Sequence, residues 1–197
     1  MRKLIVFNHM SLDGYFTDAN GDMSFAQNDN PDAEWDAFVA GNASSGGTLV
    51  FGRVTYELMA GFWPTPIAAE TMPDVAEQMN HLPKVVFSRT LEEASWNNTR
   101  LVKSNMAAEI QRMKNEEGEN MIIFGSGSIV SQLTQERLID EYQIIVDPVV
   151  LGEGRTMFEG IKEKLLLKLK QSRTFGNGNA LLFYEYATAL KQHEPLT

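Results

Sequence analysis

The chain has 197 residues, 43% of them hydrophobic and 22% charged, with a formal net charge of −9 and no cysteine. That apolar content supports one sizeable core, while the acidic balance argues against nucleic-acid or membrane-surface binding, which asks for a basic face. Without cysteine there is no disulfide framework, thiolate metal site or cysteine nucleophile, which fits a cytoplasmic location.

No apolar stretch approaches the roughly 20 residues that span a bilayer. The start, MRKLIVFNHMSLDGYF, is not read as a signal peptide, because Asn8 and His9 interrupt its apolar run and SLDG is no small-residue cleavage site. Residues 2–12 are instead expected to form a strand apolar on both faces, the mark of a central strand covered by helices. Asp13-Gly14 breaks it, and residues 18–30 read as a long Asn/Asp/Gly-rich loop. Pro31 opens a helix whose Trp35, Phe38 and Val39 share one face.

Residues 48–51 form a second strand ended by Gly52, followed by a short helix over 53–59 and another over 71–81. Residues 85–87 and 99–103 are strands, and Ser104 or Asn105 caps a helix running to about Glu116. Met121 to Phe124 is a buried strand that stops at Gly125-Ser126-Gly127-Ser128, with a helix over 129–133. Residues 138–146 are a strand, and residues 165–175 and 180–186 form a hairpin around Gly176-Asn177-Gly178-Asn179. Strands alternating with helices, then strands alone, predict one α/β domain over 1–190 with a short tail at 191–197. Its sheet is mostly parallel, covered by helices on both faces, with an antiparallel C-terminal hairpin.

Three strand ends share one grammar. LVFGRVTYE, VVFSR and IIFGSGS each end a strand in small or basic residues. In an open α/β sheet, ligands bind outside the carboxyl ends of the strands. Arg53 and Arg89 can contact phosphate, Thr55 and Ser88 add hydroxyls, and helix N-termini add backbone donors. Each feature alone also reads as an ordinary turn or solvated strand end. GSGS is neither the GxGxxG fingerprint nor a phosphate loop of the GxxxxGK[ST] type.

In order along the chain, SLDG, FGRVTYE, PKVVFSR, FGSGSIV and LIDEYQIIVDPVVLGEG resemble the dihydrofolate reductase-like superfamily. The closer likeness is to the reductase domain of the bifunctional riboflavin-biosynthesis deaminase-reductase and its small standalone relatives. The resemblance covers about residues 2–187 and implies a three-layer, NADPH-dependent reductase. It implies that Gly52, Arg53, Thr55, Ser88, Arg89 and the turn Gly125, Ser126, Gly127, Ser128 and Ile129 hold the nucleotide. Ser88 and Arg89 would then select the 2′-phosphate, and a homodimer through the C-terminal strands is expected. The chain departs from the riboflavin enzyme in having FGSG where EGG is usual, FGRVTYE where GSGT and ADDP are usual, and no cysteines for a deaminase zinc.

Hydride transfer to a C=N bond needs a proton donor or anchoring carboxylate nearby. Asp32 and Trp35 match the acid and tryptophan spacing of dihydrofolate reductase, although Asp32 also fits a first-turn helix acid. Asp13 lies beside the expected nicotinamide, or is simply a turn residue. Trp63 is a wall for a flat heterocycle or a core residue. His9 reads as a packed strand residue, His81 and His193 as surface positions, and the three supply no metal site. The expected substrate is a small heterocycle such as 5-amino-6-(5-phosphoribosylamino)uracil. A pterin or folate substrate, or a non-catalytic nucleotide-binding module, is the alternative.

Overall fold

A computed structural model describes residues 1–27, 30–44 and 46–187. The expected tail at 191–197, with His193, lies outside the described residues. Eight strands form one sheet: β1 (Leu4–Ser11), β2 (Thr48–Gly52), β3 (Lys84–Phe87), β4 (Thr99–Val102), β5 (Met121–Phe124), β6 (Glu141–Asp147), β7 (Leu167–Thr174) and β8 (Ala180–Tyr186). Their order is β4-β3-β2-β5-β1-β6-β8-β7. The first six are parallel, and β8 pairs antiparallel with both β6 and β7. The mixed sheet and C-terminal hairpin are therefore as the sequence predicts. Because six strands run the same way, their carboxyl ends all lie at one edge.

The two-residue period of a strand sorts the apolar residues between two faces. On one face Leu4, Val6, Val50, Val85, Met121, Ile123 and Tyr142 pack against Ile110 and Met113 of α5 (Met106–Lys114) and Val130 and Leu133 of α6 (Gly127–Gln135). On the other, Leu49, Phe51 and Val86 pack with Tyr56 of α2 (Arg53–Phe62) and Met79 of α4 (Pro73–His81). Beside them, Phe7, Ile122, Ile145 and Leu181 pack with Trp35 and Phe38 of α1 (Ala33–Ser44). Among the described residues no helix is long and apolar enough to cross a membrane.

Several boundaries differ from expectation, among them that α2 runs to Phe62 and α6 spans Gly127–Gln135, and at three places hydrogen bonding or backbone geometry shows the local reason. Helix α1 begins at Ala33 because Asp32 caps it, its Oδ1 accepting the N–H groups of Glu34 (2.8 Å) and Trp35 (3.1 Å). Helix α3 (Pro66–Thr71) was not expected; Thr65 caps it by accepting from the Ala68 N–H at 3.3 Å. Strand β6 begins at Glu141; before it Arg137 takes a left-handed conformation (φ 54°), and Asp140 meets β1 by donating its N–H to the Leu4 carbonyl at 2.8 Å while its side chain takes the Leu4 N–H. The Asp140 carboxylate accepts from the Leu4 N–H at 2.7 Å and from Lys114 Nζ at 2.6 Å.

The β5 end is what shapes the site. Strand β5 pairs with β1 only over Leu4 to Phe7, whereas β6 pairs with β1 from Ile5 to Ser11. On its other side β5 pairs with β2 only as far as Val50, and β2 continues to Gly52. The sheet therefore has a notch between β1 and β2 where β5 stops. Leu133 of α6, fully buried, belongs to the core cluster that packs α6 on this face of the sheet. Leu133→Ala should destabilise the fold by about 2–5 kcal/mol, as cavity-forming Leu→Ala changes do. Urea unfolding measures this, and a midpoint equal to wild type would contradict the packing described.

Candidate functional site

The chain leaves β5 through two consecutive left-handed residues, Gly125 (φ 61°) and Ser126 (φ 60°). Glycine is required at the first, where a Cβ would lie 2.8 Å from Thr55 Oγ1. Serine at the second is unfavourable but over-determined. Its hydroxyl accepts from the Gly52 N–H at 2.7 Å and donates to Thr55 Oγ1 at 2.9 Å. On the other side, the buried Asn8 accepts the Gly125 N–H through Oδ1 at 2.6 Å and donates through Nδ2 to Met157 Sδ at 3.2 Å.

This locks the N-termini of α2 and α6 side by side. The first N–H groups of each helix have no intrahelical acceptor, and the two dipoles present positive ends at one spot. Such a spot suits an anion. Two of the expected donors are committed within the protein, namely the Gly52 and Gly125 N–H groups. Those that remain belong to the first turns of the helices, around Val54, Thr55, Gly127 and the exposed Ser128. Ile129 is buried in the core, and its N–H donates to the Ser126 carbonyl at 2.9 Å.

Arg53 and Arg89 are exposed near this edge. Arg53 forms an i,i+4 ion pair with Glu57 at 2.7 Å. Ser88 is engaged locally, its Oγ accepting from the Thr90 (3.2 Å) and Leu91 (2.9 Å) N–H groups, so the Arg89 turn is ordered by its own neighbour. From the opposite side, the loop after β1 closes over the turn. Its Phe16 ring lies so near Gly127 that a Cβ there would be 2.7 Å from Phe16 Cε1.

Asp13 ties that loop to the segment after β6. Its carboxylate accepts from Ser11 Oγ (2.7 Å) and from the Leu151 (3.1 Å) and Gly152 (2.7 Å) N–H groups. The Ser11 hydroxyl, followed by those two N–H groups, holds its pKa below the ordinary carboxylate value. Asp32 also accepts the Asn177 N–H at 3.0 Å through Oδ2, fastening the hairpin turn between β7 and β8 to α1. The Trp35 N–H, then those of Asn177 and Glu34, hold its pKa low too. Both aspartates therefore act here as anionic fasteners of loops.

Trp63 does not join them. Its indole N–H donates to Met59 Sδ at 3.1 Å, and its carbonyl accepts from Asn80 Nδ2 at 2.9 Å. Asn80 in turn contacts Lys84, the first residue of β3, so Trp63 packs at the opposite edge of the sheet. Of its two sequence readings, the core one is what the geometry gives. Two cavities, of about 620 and 240 Å³, also open at that far edge. The larger is lined in part by the buried Lys84, whose Nζ already donates to the Asn80, Leu82 and Asn97 carbonyls.

One pair was missed in the sequence. His9 Nδ1 lies 3.0 Å from Asp147 Oδ2, on the α1 side of the notch, and Asp147 is 1% exposed. Two polar residues interrupting an apolar strand, Asn8 and His9, were the available signal.

The sheet order, the parallel strand ends and the glycine turn between two helices define a dihydrofolate reductase-like α/β protein. The chain belongs to the RibD C-terminal domain family, which matches residues 2–181. It is 27% identical over 185 residues to the uncharacterised protein YyaP of Bacillus subtilis strain 168, covering 94% of this chain and 95% of YyaP. The uncharacterised YwjB of the same organism is also 27% identical, over 89% of this chain and 93% of its own length. Among solved structures, a candidate riboflavin biosynthesis protein from Shewanella sp. PV-4 is 25% identical with a TM-score of 0.71, covering 94% of this chain and 99% of that one. The Thermotoga maritima diaminohydroxyphosphoribosylaminopyrimidine deaminase/5-amino-6-(5-phosphoribosylamino)uracil reductase aligns with a TM-score of 0.65 at 12% identity, over 94% of this chain and 57% of that one.

The two fastening carboxylates give the fold a signed response to acid. Their folded pKa values lie below the unfolded value of about 3.9, so their contribution is present above about pH 4 and is lost as the pH falls through the folded values. An Asp13→Ala/Asp32→Ala variant should melt lower than wild type at pH 7 and lose less of its remaining stability between pH 5 and 3. Thermal melts across that range check this, and an acid limb as steep as wild type would contradict the assignment.

Proposed function

We propose that the chain is an NADPH-dependent reductase of a small heterocyclic substrate bearing a C=N or imine bond, resembling 5-amino-6-(5-phosphoribosylamino)uracil reductase. The observation that carries this reading is the pairing of the α2 and α6 N-termini at the notch where β5 stops. A dinucleotide fits this arrangement. Its pyrophosphate would meet the free first-turn N–H groups of both helices, and its nicotinamide would enter the notch. Arg89, exposed beside the end of β3, would contact the 2′-phosphate, with Ser88 holding its turn. When bound, the cofactor supplies the hydride. The protein supplies orientation, exclusion of water by the Phe16 loop, and a proton.

The dihydrofolate alternative asks Asp32 for that proton. Its two oxygens already accept three backbone N–H groups, and these hold it ionised, which favours the imine reductase over the folate enzyme. We extend the proposal to a homodimer through β7. Among the described residues this strand is one of the two edges of the sheet, and Leu166, Leu167 and Leu169 are exposed on or beside it. A monomer by light scattering would exclude the dimer without touching the reductase reading.

NADPH should raise the melting temperature more than NADH does, since a ligand bound only by the folded state stabilises it. Arg89→Ala should weaken NADPH by about tenfold or more, the worth of one charge-assisted phosphate contact, and leave NADH affinity unchanged. Titration of both cofactors decides it. Equal losses would sink the 2′-phosphate assignment, and no stabilisation by either cofactor would sink the cofactor site.

A further inference from the structure

We propose that His9 is the proton donor of the reaction and that Asp147 is its positioning residue. This rests on the reductase reading above. His9 and Asp147 are 138 residues apart in sequence and meet because β1 and β6 pair in parallel, His9 beside Ile145 and Ser11 beside Asp147. Both Asp147 oxygens lie near His9 Nδ1, at 3.1 and 3.0 Å. An ionised carboxylate only accepts, so Nδ1 carries the hydrogen and Nε2 is the outward nitrogen. Among the described residues Nε2 has no hydrogen-bond partner, and Asp147 has no Lys or Arg beside it. The ring is steadied edge-on by Trp35 at 5.9 Å and by Phe7 at 6.3 Å, while 19% of the side chain stays exposed.

The position is what makes this pair a working one. Phe7 is the last residue of β1 that β5 pairs with, so His9 stands two residues beyond it, in the notch. Its side chain faces α1, the side opposite Asn8 and the glycine turn. A flat ring entering the notch past the turn therefore has the imidazole beside it. A structural staple has little to do here, since β1 and β6 are already in register over seven residues. Burying a carboxylate costs several kcal/mol, and an apolar pair in its place is commonly as stable or more so. A buried ionisable pair opening onto a ligand edge is instead a mark of a functional site.

The step balances as follows. The imine carbon accepts the hydride, and the C=N bonding pair moves onto nitrogen. That nitrogen takes the proton from Nε2 of the His9 imidazolium, leaving an amine, oxidised nicotinamide and neutral His9, which is reprotonated by water. Asp147 accepts the Nδ1 hydrogen bond throughout and does not transfer a proton.

Two measurements test this separately. Imidazole ¹⁵N spectra of the full chain read the hydrogen on Nδ1. They should show it in wild type, and Asp147→Asn should shift the His9 signals. A hydrogen on Nε2 instead, or signals unmoved in Asp147→Asn, overturns the dyad whether or not any substrate turns over. Single-turnover reduction of 5-amino-6-(5-phosphoribosylamino)uracil by NADPH reads the donor role. His9→Gln should slow it by about 10² or more, the usual worth of general-acid catalysis, with NADPH affinity unchanged. A lower melting temperature with an unchanged single-turnover rate would make the pair a staple and overturn the donor role alone. A wild type that binds NADPH but reduces neither this substrate nor dihydrofolate overturns the reductase reading and the donor role together.

Discussion

The early stop of β5 is the constraint on which the rest of the site depends. A left-handed glycine followed by a left-handed serine ends the strand at Phe124, while β1 and β2 run on beside it. The conformation is intrinsically unfavourable at Ser126, and it is held by hydrogen bonds from three directions: Asn8 from β1, Gly52 from the end of β2 and Thr55 from α2. One turn thereby fixes the depth of the notch, the angle at which α6 leaves it, and the distance between two helix N-termini. A longer β5 would fill the notch with backbone and bury the ends of both helices.

The turn also explains why glycines occur here beyond any need for a ligand. At Gly125 a side chain would strike Thr55, at Gly127 it would strike Phe16, and at Gly52 it would strike the Ser126 hydroxyl at 2.7 Å. Protein packing alone forbids a Cβ at all three. The free backbone donors are those of the first turns of α2 and α6, Gly127 among them, rather than the Gly52 and Gly125 N–H groups. This shifts the weight of the site from the turn's own N–H groups to what it brings together.

Much of this was legible in sequence because local chemistry decided it. The apolar runs of β1, β2, β3 and β5, their alternation between faces and the hairpin at Gly176 to Asn179 follow from period and turn residues. What was not legible depends on register and on helix length. Helix α2 is ten residues long and runs back from the ligand edge, carrying Trp63 about 15 Å away from it at 1.5 Å per residue. His9 and Asp147 meet only because of the β1–β6 register, which no pattern within either segment specifies. Asp32 had the spacing of a catalytic acid, yet the same spacing places a carboxylate over the first N–H groups of α1, and that geometry is the one it adopts.

The aspartates of the sheet edges divide by what they accept. Asp13, Asp32 and Asp140 each accept backbone N–H groups: of Leu151 and Gly152, of Glu34, Trp35 and Asn177, and of Leu4, respectively. The Ser11 hydroxyl and these N–H groups at Asp13, and the N–H groups at Asp32, stabilise the carboxylate as an anion with little tendency to carry a proton, while Asp140 also accepts from Lys114 Nζ. These three fix loops and strand entries, which is why their spacing in sequence follows turns and caps. Asp147 is more buried than any of them, and its side-chain partner is an imidazole, a side-chain type that exchanges protons. The difference lies in the partner rather than in the acid. It separates carboxylates that hold the edge of the sheet in shape from the one placed to act through a side chain that can deliver a proton there.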